Sequence, residues 1–261
     1  MRQACLSHFL LTSWLFSCYI KKDLMKSLKI LLTVIFLTGS LILNAQTREK
    51  REIESFDKLD VFGNMNVIMK QGKKETVEIF AKNVAIDQID ISVNDRLLKI
   101  KMKSNLFDED VEVKIIVTYK EIREISTNGA AEIIVNDVIK TDKLFVDATS
   151  GARVKIQVDL NAIDLKVYQG AHIDISGKTL VQESFVNTGG VLAGPNFKSD
   201  EVYIKMNTGG KAEIIVNQLL DANINTGASL NYFGTPEKNN IKTTLGGKVN
   251  AWDVIDEVQK D

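Results

Sequence analysis

The sequence predicts an all-β fold, a parallel β-helix (solenoid) of about seven rungs with about nineteen residues in each. Three observations carry this. Glycines recur at Gly129, Gly151, Gly170, Gly189, Gly209, Gly227 and Gly246, with spacings of 22, 19, 19, 20, 18 and 19 residues. That period is too short for a helix pair and suits one turn of stacked strands. The residue after each glycine is small (Ala130, Ala152, Ala171, Gly190, Gly210, Ala228, Gly247), as a tight corner stacked on its own copies requires. Short alternating runs flank each glycine, such as LFVDAT and LKVYQ before it and ARVKIQV and KAEIIV after it, the period-two pattern of half-buried strand.

From the N-terminus, residues 1–45 read as an export signal region. Beginning at Met25, Lys26 and Lys29 supply a basic start, Ile30 to Leu43 an apolar core and Leu43-Asn44-Ala45 a cleavage site. The core is too short for a membrane span, and Met25 reads as the true start. Leu15-Phe16-Ser17-Cys18 offers a second reading, a lipid-acylation site at Cys18, which Phe16 and the apolar run that follows disfavour. Both cysteines, Cys5 and Cys18, fall in this segment, so a domain spanning 46–252 must be held by its own core. Beyond residue 45 there are 28 basic and 33 acidic residues, a net charge of −5, which argues against nucleic acid as a partner.

Residues 51–122 read as strands joined by charged turns, with tight corners at Gly63-Asn64 and Asn94-Asp95 but no small-residue column. This segment begins the solenoid or caps it, because a solenoid leaves an open core at each end; how many rungs precede Gly129 is left open. In the rungs, Val146, Leu165 and Ile204 before the corners and Val154, Ile173, Leu230 and Val249 after them are expected to point inward. At about 4.8 Å per rung the stack is about 35 Å long. Pro195 and Pro236 sit between runs, where no ladder donor is lost. The phrase NTG places Asn187, Asn207 and Asn225 in one column and Thr188, Thr208 and Thr226 in the next. These residues, with Gly151, Gly170, Gly189, Gly209, Gly227 and Gly246, read as a corner ladder in which amides and hydroxyls bond each other and asparagine takes the left-handed conformation. Trp252 and the tail 253–261 read as the second cap.

The pattern FDKLDVFGNMNVIMKQG from Phe56, then VEIFA, LLKIKM and the Gly-Ala and Gly-Gly units with NTGG, resembles the secreted head GIN domain, the putative auto-transporter adhesin family common in Bacteroidetes. The match runs over about residues 50–252. The resemblance implies a right-handed β-helical fold exported into a Gram-negative envelope, whether periplasm, outer-membrane surface or outside, and it brings no catalytic residues to carry over. No run of alternating strands long enough for a membrane barrel follows Trp252.

The chemistry-bearing residues are few. GGVLAG at Gly189 to Gly194 has phosphate-loop spacing, but Pro195-Asn196 stand where Lys and Ser or Thr are needed. Neither GGVLAG nor GGKAEI supplies the aspartate of a calcium-binding roll, so neither cofactor nor metal is expected. His172, aligned with Arg153, reads as solvated surface, since acid–base work needs a positioned partner. Asp164 and Glu183 align in adjacent rungs with Asp221 two rungs on, while Asp147 and Asp174 lie on other outward columns. Lys166, Lys205 and Lys242 stand two residues on from that acidic column. The bland reading is a mixed-sign face that keeps the solenoid soluble; the sharper one is a polysaccharide lyase or hydrolase with paired carboxylates, against which the column has too few aromatics to hold a sugar. Tyr168 and Tyr203 are outward contact candidates, and Tyr232 and Phe233 read as core filling. The expectation is a non-enzymatic, exported binding or scaffold module for an envelope glycan or protein, with weak binding candidates Tyr168, Tyr203, His172, Asp164 and Glu183; a carbohydrate-active enzyme or a self-assembling structural protein is the alternative.

Overall fold

The computed structural model describes residues 47–103 and 110–252; the expected export signal with Met25 and Cys18, and the tail 253–261, lie outside the described residues. Stacked parallel coils form a β-solenoid of about seven turns. Its body is five long strands, β9 (Glu132–Ala148), β10 (Arg153–Val167), β11 (His172–Val186), β12 (Val191–Met206) and β13 (Lys211–Ile224). Each serves as two arms. In β13 the residues from Lys211 to Ile215 pair with β14 (Ser229–Phe233), and those from Leu219 to Ile224 pair with β15 (Lys238–Thr243). Arms that follow a glycine corner make wall A and arms that precede one make wall B. Val146, Leu165, Ile204, Val154, Ile173 and Leu230 are buried between the walls, in one cluster that runs from Phe56 to Tyr232. Each fully buried Val, Leu or Ile contributes about 1.5–3 kcal/mol, so the alternation itself holds the stack together. Val249, on the last strand of the ladder among the described residues, is only partly buried.

The corner is a type I′ turn. In Asn187-Thr188-Gly189-Gly190 the N–H of Gly190 donates to Asn187 O (2.9 Å), and the two central residues have φ of 46° and 70°. The residue held at positive φ is therefore the threonine, with the glycine, and not the asparagine; Thr208, Thr226 and Leu245 repeat this. A β-branched residue there is strained, and the stacking offsets the strain. The carbonyl of each left-handed residue accepts the glycine N–H of the rung before it, Thr188 O from Gly170, Thr208 O from Gly189 and Thr226 O from Gly209, at 3.0–3.1 Å. The threonines thus act through backbone carbonyls. The asparagines act through side chains: Asn225 Nδ2 donates to Asn207 Oδ1 (3.1 Å), Thr244 Oγ1 donates to Asn225 Oδ1, and Asn187 Oδ1 accepts Thr188 N–H (2.8 Å).

The first corner departs from the sequence register. Gly129 and Ala130 are both at positive φ, and Ala130 N–H donates to Ser150 O as the later glycines do to their neighbours. Ala130 therefore stands in the glycine column, and the small buried residue is Ala131, fully buried like Ala152 and Ala171. Counting on glycine alone shifted this rung by one residue.

Two further layers precede it, contributed out of order. β2 (Lys58–Phe62) and β3 (Asn66–Gln71) form one layer, and β6 (Leu97–Met102) and β7 (Glu112–Tyr119) the next one out. β8 (Glu124–Asn128) returns to the inner side of β2. Beyond these, β4 (Thr76–Lys82) lies antiparallel on β7, β1 (Thr47–Glu52) on β4, and β5 (Ile89–Asn94) on β6. The segment both begins the solenoid and caps it, and β1 presents the charged edge TREKRE, as an edge that must stay unpaired requires. Asp95 and Arg96, both at positive φ, close the hairpin from β5 to β6.

At the other end the expected cap is different. Trp252 closes β16 (Lys248–Trp252) opposite Phe233 and is 44% exposed, so it stacks on the outside rather than plugging the core. Phe233 also points outward and only Tyr232 is core. What changes in the last rung is polarity. Asn239 and Thr243 pair with Leu220 and Ile224, at inward positions, and Asn239 Nδ2 donates to the Tyr232 hydroxyl (3.1 Å).

Candidate functional site

Wall B turns four outward columns to solvent, two residues apart along each strand. The strand register places Phe145, Asp164, Glu183, Tyr203, Asp221 and Asn240 in one column. The next holds Asp147, Lys166, Phe185, Lys205, Asn223 and Lys242. The sequence-predicted residues Asp164, Glu183 and Asp221 are thus brought into one line at rung spacing, about 4.8 Å, with the three lysines in the line beside it. Tyr203, expected only as an outward contact, stands within the acidic column between Glu183 and Asp221 and is 41% exposed. Phe145 is equally exposed beneath the Lys143 ammonium, 4.6 Å from the ring centre. With half-buried Phe185 one column across, the face carries three aromatic rings, two in the acidic column and one beside it.

A trough of about 590 Å³ follows these columns, lined by Asp164, Glu183, Phe185, Tyr203, Lys205 and Asp221 among others. A smaller recess of about 180 Å³ shares Asp164 and Lys166 and extends it past Asp147 to Glu124. Two groups titrate abnormally here. Burial raises the Asp147 carboxyl above its ordinary value, against a Tyr168 hydrogen bond that lowers it. The Tyr203 phenol is raised by its hydrogen bond to Glu201 Oε2 (3.0 Å). Tyr168 lies in the corner column beside Asn187, where burial raises its phenol and Asp147 adds to the effect.

A larger recess, about 730 Å³, sits where the chain hops from β7 to β8. Two of its polar groups are engaged within the chain: Gln71 Nε2 donates to Lys120 O (3.0 Å) and Lys120 Nζ meets the buried Glu75 (2.7 Å). It reads as a by-product of the crossover.

His172 lies on wall A, away from the acidic column. Arg153 is its neighbour in register, and its Nε2 is 3.0 Å from Asp174 Oδ1. The next rung places Val191 and Ala193 beside this pair, so the register puts no nucleophile within its reach. Among the described residues no three His, Cys, Asp or Glu side chains converge to hold a metal ion, and no helix is long and apolar enough to cross a membrane.

Phe145, Phe185 and Tyr203 were missed as a group although the signal was present. Phe145, Asp164, Glu183, Tyr203, Asp221 and Asn240 each stand six residues before a corner glycine, and counting back from the glycine finds the whole column.

Solved structures share this architecture. A putative adhesin from Bacteroides fragilis NCTC 9343 is 17% identical with a TM-score of 0.69, over 80% of this chain and 97% of its own. One from Parabacteroides merdae ATCC 43184 is 20% identical with a TM-score of 0.63, over 80% and 97%. A protein described as a putative lipid binding protein from Parabacteroides distasonis ATCC 8503 is 19% identical with a TM-score of 0.63, over 80% and 98%. At these identities the likeness shows the fold. No curated protein matches the sequence. Residues 55–236 match the family described as putative auto-transporter adhesin, head GIN domain, and with that match covering well over half of its length the chain belongs to this adhesin-like family.

Proposed function

We propose that this chain is an exported binding and scaffolding module of the cell envelope whose working surface is wall B, and that it holds its partner there without chemical turnover. The observation that carries the reading is the ordered face itself: an acidic column, a lysine column, and the rings of exposed Phe145 and Tyr203 and half-buried Phe185 along the trough and the recess that extends it. Polar groups and rings at rung spacing give many weak, aligned contacts along an elongated partner, with the rings supplying most of the energy. Membership of an adhesin-like family supports binding as the role, and the signal pattern before residue 46 supports export.

One observation keeps an enzyme as the second reading. Asp164 and Glu183 are adjacent in the ladder, at a spacing near that of carboxylate pairs in glycoside hydrolysis. The test is an array of envelope polysaccharides and lipid vesicles probed with the chain from Gln46, each bound polymer then checked for shortening. Binding without shortening, lost in a Phe145→Ala, Phe185→Ala, Tyr203→Ala variant, is the expected result. Shortening that vanishes in Asp164→Asn or Glu183→Gln would replace this reading with the enzyme.

A further inference from the structure

The recess of about 730 Å³ beside the β7–β8 crossover owes its shape to the path of the chain, but that path does not account for its charges. Lys120 and Arg123 reach it from the crossover, Lys140 and Lys143 from the corner of β9. The acids beside it have partners within the chain. Glu75 meets Lys120 (2.7 Å), Asp137 Oδ2 accepts the Gln71 N–H (2.6 Å) and Asp142 Oδ1 accepts Asn161 Nδ2 (2.7 Å). Glu121 lies 3.8 Å from Arg123 and Glu124 4.0 Å from Lys58. Asp159, the register neighbour of Lys140, lies 3.6 Å from Lys178. Lys140 and Lys143 take part in no ion pair among the described residues. Two ammonium groups are thus left over in a chain whose net charge beyond residue 45 is −5.

The position of the recess matters as much as its charge. Phe145 lines it and also lines the recess of about 180 Å³, which in turn shares Asp164 and Lys166 with the trough of wall B. The three hollows therefore adjoin in one run from the crossover along wall B. Behind the lysines the first hollow is apolar, since Tyr119, Ile122 and Ile139 line it and are all buried. The Tyr119 phenol is pushed up to about 12 by burial and by Asp137, so it stays neutral and repels no anion. Apolar surroundings strengthen the attraction between an ammonium and an oxyanion. The volume falls within the range of small-ligand sites, about 300–1,000 Å³, and holds more than a bare ion.

We infer that this recess binds an acidic sugar, a carboxylated or phosphorylated residue of an envelope polysaccharide whose remaining length lies along wall B. The inference rests on the reading of wall B as the working surface and extends that surface around the corner. Lys140 and Lys143 take the oxyanion, and Arg123 joins them by exchanging its long contact with exposed Glu121 for the ligand. The Lys143 ammonium stands 4.6 Å from the centre of the Phe145 ring, which holds it where the first two hollows meet. The apolar face of the sugar ring packs on Ile122 and Phe145. A flat membrane surface is a poorer occupant, because these cations line a hollow rather than a protruding patch.

Calorimetric titration of the chain from Gln46 tests this, since the pairing and core described above lie within that unit. The acidic probes are trigalacturonate and mannose 6-phosphate, and their neutral controls are methyl-esterified trigalacturonate and mannose. The acidic probes are expected to bind where the controls do not, and to weaken roughly tenfold or more between about 50 and 500 mM salt. Lys140→Gln, Lys143→Gln is expected to weaken them roughly tenfold or more with its thermal melt unchanged, as neither lysine is ion-paired. If neither acidic probe binds better than its control, or the lysine variant binds as well as wild type, the inference is overturned. Binding to vesicles of phosphatidylcholine and phosphatidylglycerol, with both sugars silent, would assign the recess to a lipid headgroup and overturn the sugar. The two readings fail separately. A polysaccharide released by Phe185→Ala, Tyr203→Ala but kept by the lysine variant leaves wall B as the working surface and overturns the recess. Trigalacturonate lost only in the lysine variant, with no polysaccharide held more tightly than trigalacturonate, supports the recess and removes wall B.

Discussion

Gly189 and Gly190 are adjacent in one corner but are glycine for different reasons, so replacing each by alanine separates two physical effects. A Cβ on Gly189 would meet nothing within 4 Å; only its φ of +70° disfavours a side chain. Gly189→Ala is expected to cost about 1–2 kcal/mol, the left-handed penalty of an L-residue. A Cβ on Gly190 would lie 2.4 Å from Val167 O and 2.7 Å from Val167 C in the rung below, contacts that real Cβ atoms do not make. The rungs must part locally, and Val167 O is the acceptor of Asn187 N–H at 2.9 Å, with Val191 N–H to Ala171 O (2.9 Å) just beyond. Overpacking costs about 1–3 kcal/mol and each weakened hydrogen bond about 0.5–1.5 kcal/mol, so Gly190→Ala is expected to cost about 2–4 kcal/mol. Urea unfolding of the two variants beside wild type, followed by circular dichroism with a common slope, measures the difference. If Gly190→Ala proves no more costly than Gly189→Ala, the stacked-corner argument is wrong.

Three other outcomes are expected. Leu245 is 81% exposed with φ of 46°; Leu245→Asn, placing a residue that tolerates this conformation, should raise stability by about 0.5–1 kcal/mol in the same urea assay. Gln182 is fully buried, donating to Ser184 Oγ (2.9 Å) and accepting from Ser199 Oγ (2.8 Å). Gln182→Leu strands both hydroxyls and should cost about 1–3 kcal/mol, while adding Ser184→Ala and Ser199→Ala should recover most of it. Glu75 and Glu78 are held below the ordinary carboxylate range: burial works against this at Glu75 but Lys120 and Ser55 outweigh it, and Lys50 and Arg48 hold Glu78 down. Their stabilisation is present above the ordinary carboxylate pKa and is lost as pH falls through the lowered values. Burial raises Asp147, so its contribution has the opposite sign, present at low pH and lost as pH rises through the raised value. Thermal melts across pH should show Glu78→Gln with a smaller acid loss than wild type. Asp147→Asn should melt higher than wild type at neutral pH and equal to it at about pH 3.

The solenoid was legible because its corner imposes two local requirements, positive φ at one position and no bulk at the next, and both leave a mark in residue type. The first rung was misread for the same reason. Ala130 fills the glycine position there, and a conformation adopted by alanine leaves no mark. The layers before Gly129 carry the ordinary strand pattern, but their spatial order, with β6 and β7 outside β2 and β3, depends on pairing between segments far apart in sequence, which alternation does not encode. The buried Gln182 is polar in a column where Ile163 and Val202 are its ladder neighbours and Leu220 follows Val202. Only the three-dimensional meeting of Ser184 and Ser199 explains it. The acidic column is readable from spacing, and Phe145 and Tyr203 stand at the same distance from the corner glycine, whereas Phe185 lies one column across.

Rung length also bears on which wall carries function. From each corner glycine back to the acidic column is always six residues, and from the glycine forward to the first column of wall A, Arg153, His172, Val191, Lys211, Ser229 and Lys248, always two. All variation between rungs falls at the opposite corner. There β12 carries an extra residue around Pro195 and the ladder shifts register between Ala193 and Lys198, while β9 against β10 shifts between Lys155 and Gln157. An insertion or deletion at that corner is therefore absorbed before the chain reaches wall B. Wall B inherits a fixed phase from the type I′ turn that follows it, so a residue type placed six before the glycine keeps its column whatever happens elsewhere in the rung. Wall A lacks that protection along its second half, where the shifts occur. A stripe of like side chains can persist over many rungs only on a wall with constant phase, and the segregated acids and lysines stand on that wall.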